Sequence, residues 1–176
     1  FDLGTSTDII TLANFTNDIT VKDAAATITG GTGSDTVRFL TTATTSTVSG
    51  VETVISTTAN TADTVTMGAA GTTSFTDIET IIGSAGIDNI TTTTASVIDG
   101  KAGKDTLTGS TGRDTFLVST VTDSNGVNSD TVTNFVSGTD FISMGNNAIS
   151  YVGEASSYGT VLTSFTGTAY QAVMDT

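Results

Sequence analysis

The chain has 176 residues, 18 of them acidic and 5 basic, for a net charge of −13. Such a field repels phosphate backbones and anionic headgroups, which excludes nucleic acid as a partner; no run is long and apolar enough for a transmembrane helix, so membrane insertion is not expected either. The absence of cysteine and histidine removes disulfides, thiolate or imidazole metal sites, and nucleophiles activated by histidine.

Thr, Val and Ile dominate, 19 glycines punctuate the chain and proline is absent. β-Branched residues fit a pleated surface better than a helix, and without proline nothing interrupts a long ladder. The expected fold class is therefore all-β. Asp8 opens a series of acids that continues at Asp35, Asp63, Asp88, Asp114 and Asp140, the successive numbers differing by 27, 28, 25, 26 and 26. Glu52, Glu79, Asp105 and Asp130 follow the same beat, each trailing a member of the first series by 16 or 17. A fixed internal period marks a solenoid rather than an antiparallel sandwich. The sequence predicts a right-handed parallel β-helix or β-roll with coils of about 26 residues.

In chain order, each coil is expected to hold three short strands between turns rich in Gly, Asp, Asn and Ser. Val37, Val65, Ile90, Phe116 and Ile142 follow the first acids by two residues, and Val54, Ile81, Leu107 and Val132 follow the second. Val48, Phe75, Val97 and Val121 supply the middle segment. Period-two alternation turns these side chains inward. Thr53, Thr80, Thr106 and Thr131 then form an outward column. Such columns on flat β-helix faces can bind ice, but the residues two positions on, Ile55, Ile82, Thr108 and Thr133, break a paired array. Residues 1–142 are expected to form the solenoid. In residues 143–176 the beat stops and Tyr151, Tyr158, Phe165 and Tyr170 appear, which fits a segment closing the open end of the stack.

Stacked acids repel one another by roughly 1 kcal/mol per pair in water, and by more when buried. Turn amides can satisfy them, or a hard cation can sit between coils with carboxylate and carbonyl ligands, for which calcium suits best. Stacking at this period pairs Asp88 with Asp114 and Asp105 with Asp130, whereas Asp8, Asp63 and the glutamates read as turn caps alone.

The turn Gly30-Gly-Thr-Gly-Ser-Asp35-Thr-Val resembles the nonapeptide of hemolysin-type calcium-binding (RTX) repeats, Gly-Gly-x-Gly-x-Asp-x-apolar-x. Similar turns run from Gly83 through Gly86 to Asp88, from Gly100 through Gly103 to Asp105, and from Gly109 through Gly112 to Asp114. The resemblance implies a parallel β-roll that holds Ca2+ between stacked turns, with Gly30, Gly33, Asp35, Gly83, Gly86, Asp88, Gly100, Gly103, Asp105, Gly109, Gly112, Asp114 and Asp130 as the metal-site residues. It also implies export by type I secretion and an extracellular, cell-surface location. The second glycine survives only at Gly31, and Lys101, Lys104 and Arg113 bring positive charge into the turns that a cation would occupy.

Gly50-Val-Glu-Thr-Val and Asp77-Ile-Glu-Thr-Ile resemble segments of Thr/Ala-rich bacterial surface-layer proteins and large adhesins. The stretch from Asp130 to Ile142 resembles the segment that closes RTX stacks, and Gly167 to Asp175 resembles a strand of their C-terminal secretion region. The start at Phe1 suggests a segment of something longer. No groove of acids, bases and aromatics is legible, so no enzymatic role is expected. The expectation is a structural component of an extracellular surface assembly, stabilised by calcium, whose partners are other copies or segments of the same surface protein and cell-surface polysaccharide. The alternative is the calcium-binding repeat module of a secreted enzyme or toxin whose catalytic domain lies outside this chain.

Overall fold

A computed structural model describes residues 7–22, 24–40, 44–57, 62–120, 122–124, 126–144 and 160–162. Among the described residues, sixteen short strands make up almost all of the regular structure. They begin with β1 (Asp8–Thr11), β2 (Asp18–Val21), β3 (Ala26–Thr29), β4 (Thr36–Phe39), β5 (Thr45–Ser49) and β6 (Thr53–Ser56). The middle of the chain gives β7 (Thr64–Met67), β8 (Thr72–Thr76), β9 (Thr80–Ile82), β10 (Asn89–Thr92) and β11 (Val97–Asp99). Then come β12 (Thr106–Thr108), β13 (Thr115–Leu117), a 3-10 turn at Gly126–Asn128, β14 (Thr131–Thr133), β15 (Phe141–Ser143) and β16 (Thr160–Leu162).

Odd-numbered strands stack in chain order into one eight-stranded sheet, and even-numbered strands into another. Every pairing among the described residues is parallel except that of β16 with β14, which is antiparallel. Parallel neighbours need a crossover of about a dozen residues, which the opposite sheet's strand and two turns supply. The fold is thus an all-β parallel solenoid, as the composition and repeats predict. At about 4.8 Å per strand, the first sheet spans roughly 34 Å along the stack.

The coil is shorter than expected. Asn89 pairs with Thr106 and Val97 with Thr115, at sequence offsets of 17 and 18. Only in the last coil, where Thr106 meets Thr131 and Thr115 meets Phe141, do the offsets reach 25 and 26. Each coil therefore has two strands and two turns, not three of each. Before that last coil, the longer beat of the acids is one and a half coils, so it alternates between the two sides of the stack. A half-coil of about nine residues, the length of one nonapeptide, makes both sides look alike in sequence. That is why the beat reads as a single column.

Inward side chains form one main core, with Val118 and Met144 as a small second cluster against Ile142. Val37, Val54 and Phe75 from the even sheet face Ile28, Val48, Ile81 and Ile98 from the odd one. All of the expected inward residues outside the middle segment are buried except Ile142, which is partly buried against the core. In the middle segment Val48 and Phe75 are buried, but Val97 faces outward and its neighbour Ile98 fills the core instead. Val121, the aromatic residues expected to close the stack and the Gly167–Asp175 stretch lie outside the described residues.

Two turn designs connect the strands. At Gly50 and Asp77 the backbone is left-handed, with φ of 59° and 54°, which tips Val51 and Ile78 into the core as plugs before Glu52 and Glu79. The other design is the longer glycine turn that ends in Asp. Replacing the fully buried Phe75 by Ala should lower the unfolding free energy by about 3–5 kcal/mol. The outward Thr66→Val should change it by less than about 0.5 kcal/mol, with urea denaturation distinguishing the two.

Candidate metal centre

Every turn delivers the chain to the start of a strand with a backbone amide that has no ladder partner, and a buried amide left so is costly. The acids solve this between coils. On one side, the amide of Asn17 donates to Asp35 Oδ1 (3.0 Å), that of Asp35 to Glu52 Oε2 (2.7 Å) and that of Gly71 to Asp88 Oδ1 (3.0 Å). The amide of Asp88 donates to Asp105 Oδ1 (2.8 Å), and that of Asp105 to Asp130 Oδ1 (2.9 Å). On the other side, Thr44 donates to Asp63, Asp63 to Glu79, Ser96 to Asp114 and Asp114 to Asp140, at 2.6–2.9 Å. Each carboxylate thus caps the equivalent position of the preceding coil.

The two series of acids are redistributed accordingly. Asp88 stacks on Asp105, and Asp114 stacks on Asp140, so Asp88 and Asp114 are not neighbours. From Asp35 to Asp114, members of the first series that follow one another differ by a coil and a half and fall on opposite sides, whereas Asp140 lies one long coil beyond Asp114 on the same side. Asp105 does lie beside Asp130. Asp8 is the first residue of β1 rather than the end of a turn.

The second carboxylate oxygen separates one position from the rest. Asp35 Oδ2 accepts the Gly31 amide, Asp88 Oδ2 the Ser84 amide, Asp114 Oδ2 the Ser110 amide and Asp140 Oδ2 the Val136 amide, each four residues back. The Ser84 and Ser110 hydroxyls add a second donor. At Asp105 the equivalent donor is Lys101, whose backbone is left-handed (φ 64°) and whose amide instead meets Asp99 Oδ1 at 3.0 Å. Asp105 is 1% exposed, yet its Oδ2 has no hydrogen-bond partner.

Glycine backbone approaches this carboxylate closely. A Cβ on Gly100 would lie 2.7 Å from Asp105 Oδ2, and one on Gly103 would lie 2.6 Å from the Gly86 carbonyl oxygen. The basic residues of these turns are directed elsewhere. Lys101 Nζ sits 2.9 Å from Asp99 Oδ2 and 3.0 Å from Ser119 Oγ, Lys104 is exposed, and Arg113 lies 4.4 Å above the Phe141 ring. Asp99, which holds Lys101 away, is not legible as a site residue in the sequence because it lies in a strand rather than at the end of a glycine turn.

Burial pushes the Asp105 carboxyl up to about 7, with the charges of Asp130, Asp88 and Asp123 adding to the shift and the Asp88 amide opposing it. Burial also raises Asp130, to about 6, and Asp114. Asp105 brings an unpartnered carboxylate oxygen to a turn where the Gly86 carbonyl also lies, and hard oxygen donors of this kind fit calcium. At Asp35, Asp88 and Asp114 both oxygens already accept amide hydrogen bonds, as turn caps do. Among the described residues, no three acidic side chains converge on one point.

The peptidase M10 serralysin C-terminal family model matches residues 4–175. The chain belongs to this family. Serralysin C-terminal domains are calcium-binding β-rolls of RTX-type repeats, and they are the non-catalytic region of serralysin-type proteases. No curated protein and no solved structure matches the chain. Against the pattern of RTX repeats, this serralysin C-terminal domain departs at Lys101, where the turn amide abandons its own aspartate.

The raised carboxyls set a pH dependence in the absence of metal. Folded Asp105 holds a proton that the unfolded chain releases near pH 4, so stability falls as pH rises from about 4 to about 7. In excess chelator the melting temperature should be higher at pH 5 than at pH 8. Asp105→Asn should remove much of that slope, as read by circular dichroism.

Proposed function

We propose that the chain is a calcium-stabilised structural module of a bacterial extracellular assembly, such as a surface layer or an adhesin stalk. The observation that carries the reading is the buried, unpartnered Oδ2 of Asp105 among glycine turns. Asp105, with the glycine carbonyls about it and Asp130 one coil on, is the proposed calcium site. Bound there, calcium supplies the positive charge that this pair of carboxylates lacks. Because the site exists only when coils 83–88 and 100–105 are stacked, binding energy becomes folding energy, and folding is favoured where calcium is abundant. The remaining turns named as metal-binding, around Asp35, Asp88 and Asp114, serve first as caps.

The partners of such a module are other copies or segments of the same protein, together with cell-surface polysaccharide. Among the described residues, β1 and β2 each have a sheet neighbour on one side only, and such edges invite further strands. Type I secretion and a cell-surface location belong to the same reading, which the serralysin-type family supports through its secreted members. A second reading, the repeat module of a secreted enzyme whose catalytic part lies outside this chain, is favoured by the family match itself.

Thermal unfolding with calcium and with excess chelator tests the proposal. Calcium should raise the melting temperature of the wild type, and Asp105→Asn should abolish most of that rise. Glu79→Gln, at a position that only caps the Asp63 amide, should lower the midpoint equally in both conditions. A wild-type midpoint indifferent to calcium would sink the ion-bridging role.

A further inference from the structure

The true register changes what the outer face of the even-numbered sheet presents. Thr80 and Ile82 belong to the odd sheet, and β8 and β10 take their place between β6 and β12. One outward column then runs Thr72, Asn89, Thr106 and Thr131 across β8, β10, β12 and β14. A second, two residues along each strand, runs Ser74, Thr91, Thr108 and Thr133. All eight alternate with buried residues and reach the surface. The threonine pairing that Ile55 and Ile82 break in the linear sequence is complete on β12 and β14, and on β8 and β10 Ser74 and Asn89 stand in for one threonine each.

Two features separate this face from ordinary strand surface. None of its outward positions is charged, although the molecule carries −13 and the first coils of the same sheet expose Asp18 and Arg38. Outward strand residues in most sheets mix in charge, which also protects against edge pairing. One pair of its hydroxyls is also tied along the column: Thr108 Oγ1 and Thr133 Oγ1 lie 2.8 Å apart. β-Branching fixes χ1, so each threonine presents a methyl and a hydroxyl in a set orientation. Parallel stacking repeats them about every 4.8 Å along the stack, and the i, i+2 spacing repeats them about every 6.7 Å across it.

We infer that this face binds ice. An uncharged, two-dimensional array made mostly of threonine hydroxyl and methyl groups holds surface water in a regular net, and the oxygen rows of an ice prism plane have a comparable rectangular repeat. A charged surface would instead orient water around each ion and break that net. The inference does not depend on where calcium binds, provided the coils are stacked.

The test uses the full chain in excess calcium, with ice-crystal shaping, thermal hysteresis and inhibition of ice recrystallisation as readouts. The wild type should facet ice crystals and slow recrystallisation. Thr91→Tyr with Thr108→Tyr keeps strand-favouring side chains but breaks the plane, and should abolish both effects at an unchanged melting temperature. Thr47→Tyr with Thr66→Tyr, outward on the opposite sheet, should leave them intact. Absence of ice shaping by a folded wild type would overturn the inference, and so would full activity in the Thr91/Thr108 variant. A concentration-dependent dimer lost in that variant, without ice shaping, would assign the face to a second copy and equally overturn it.

Discussion

The hydrogen bond from a turn amide to the next coil's carboxylate is the interaction on which the rest of the molecule depends. A two-stranded coil must reverse direction twice, and each reversal strands one amide at the edge of a sheet. Handing it to an acid one coil on satisfies the amide and fixes the register of the two coils together. Bonds of this kind are charge-assisted and short, 2.6–3.0 Å here. They also explain the composition: a chain that needs an acid at nearly every turn accumulates negative charge, with no structural demand for bases to match. Like charges stacked one coil apart oppose the arrangement, so the donors that hold the carboxylates cannot be spared. Asp105 is the place where one donor is missing, and burial raises that carboxyl furthest of those resolved.

The fold class is legible in the sequence because its causes are local. β-Branched triplets, inward apolar residues and glycine-acid turns each predict a strand, a core position or a reversal without reference to distant residues. The coil length is harder to read because the two sides of the stack use the same turn chemistry. Its signal lies in the shorter offsets. Asp35 to Glu52, Asp63 to Glu79 and Asp88 to Asp105 are each one coil apart, at offsets of 17, 16 and 17, and the tandem glycines Gly100 and Gly109 mark a half-coil. The candidate site is only partly legible. Nothing in the nonapeptide pattern says that Lys101 will adopt a left-handed backbone and turn to Asp99, since that depends on a strand residue and on Ser119 in the next coil.

Charge and neutrality are divided by position. The acids cap amides in the turns, where strand ends leave backbone unsatisfied. The outward faces from β6 onward need no such donors or acceptors, because parallel ladders already satisfy their backbone, so threonine suffices. One repeat thereby makes two unlike surfaces, polar and anionic at the sides and neutral across the broad face.

The same interaction bears on the last parallel coil among the described residues. A capped column can always accept another coil, because the last acid's own amide is still free to donate forward. Here both last amides are satisfied from within. The Asp130 amide meets Ser124 Oγ at 2.8 Å, in the segment that lengthens the final coil, and the Asp140 amide meets the Val136 carbonyl at 2.9 Å in its own turn. With neither amide in need of a carboxylate, nothing in the turn columns specifies a further parallel coil. β14 is then free to take an antiparallel neighbour in β16, the one reversal among the described pairings. The extra residues between β13 and β14 do this for Asp130, and the turn between β14 and β15 does it for Asp140: each replaces a partner in the next coil by one in the same coil.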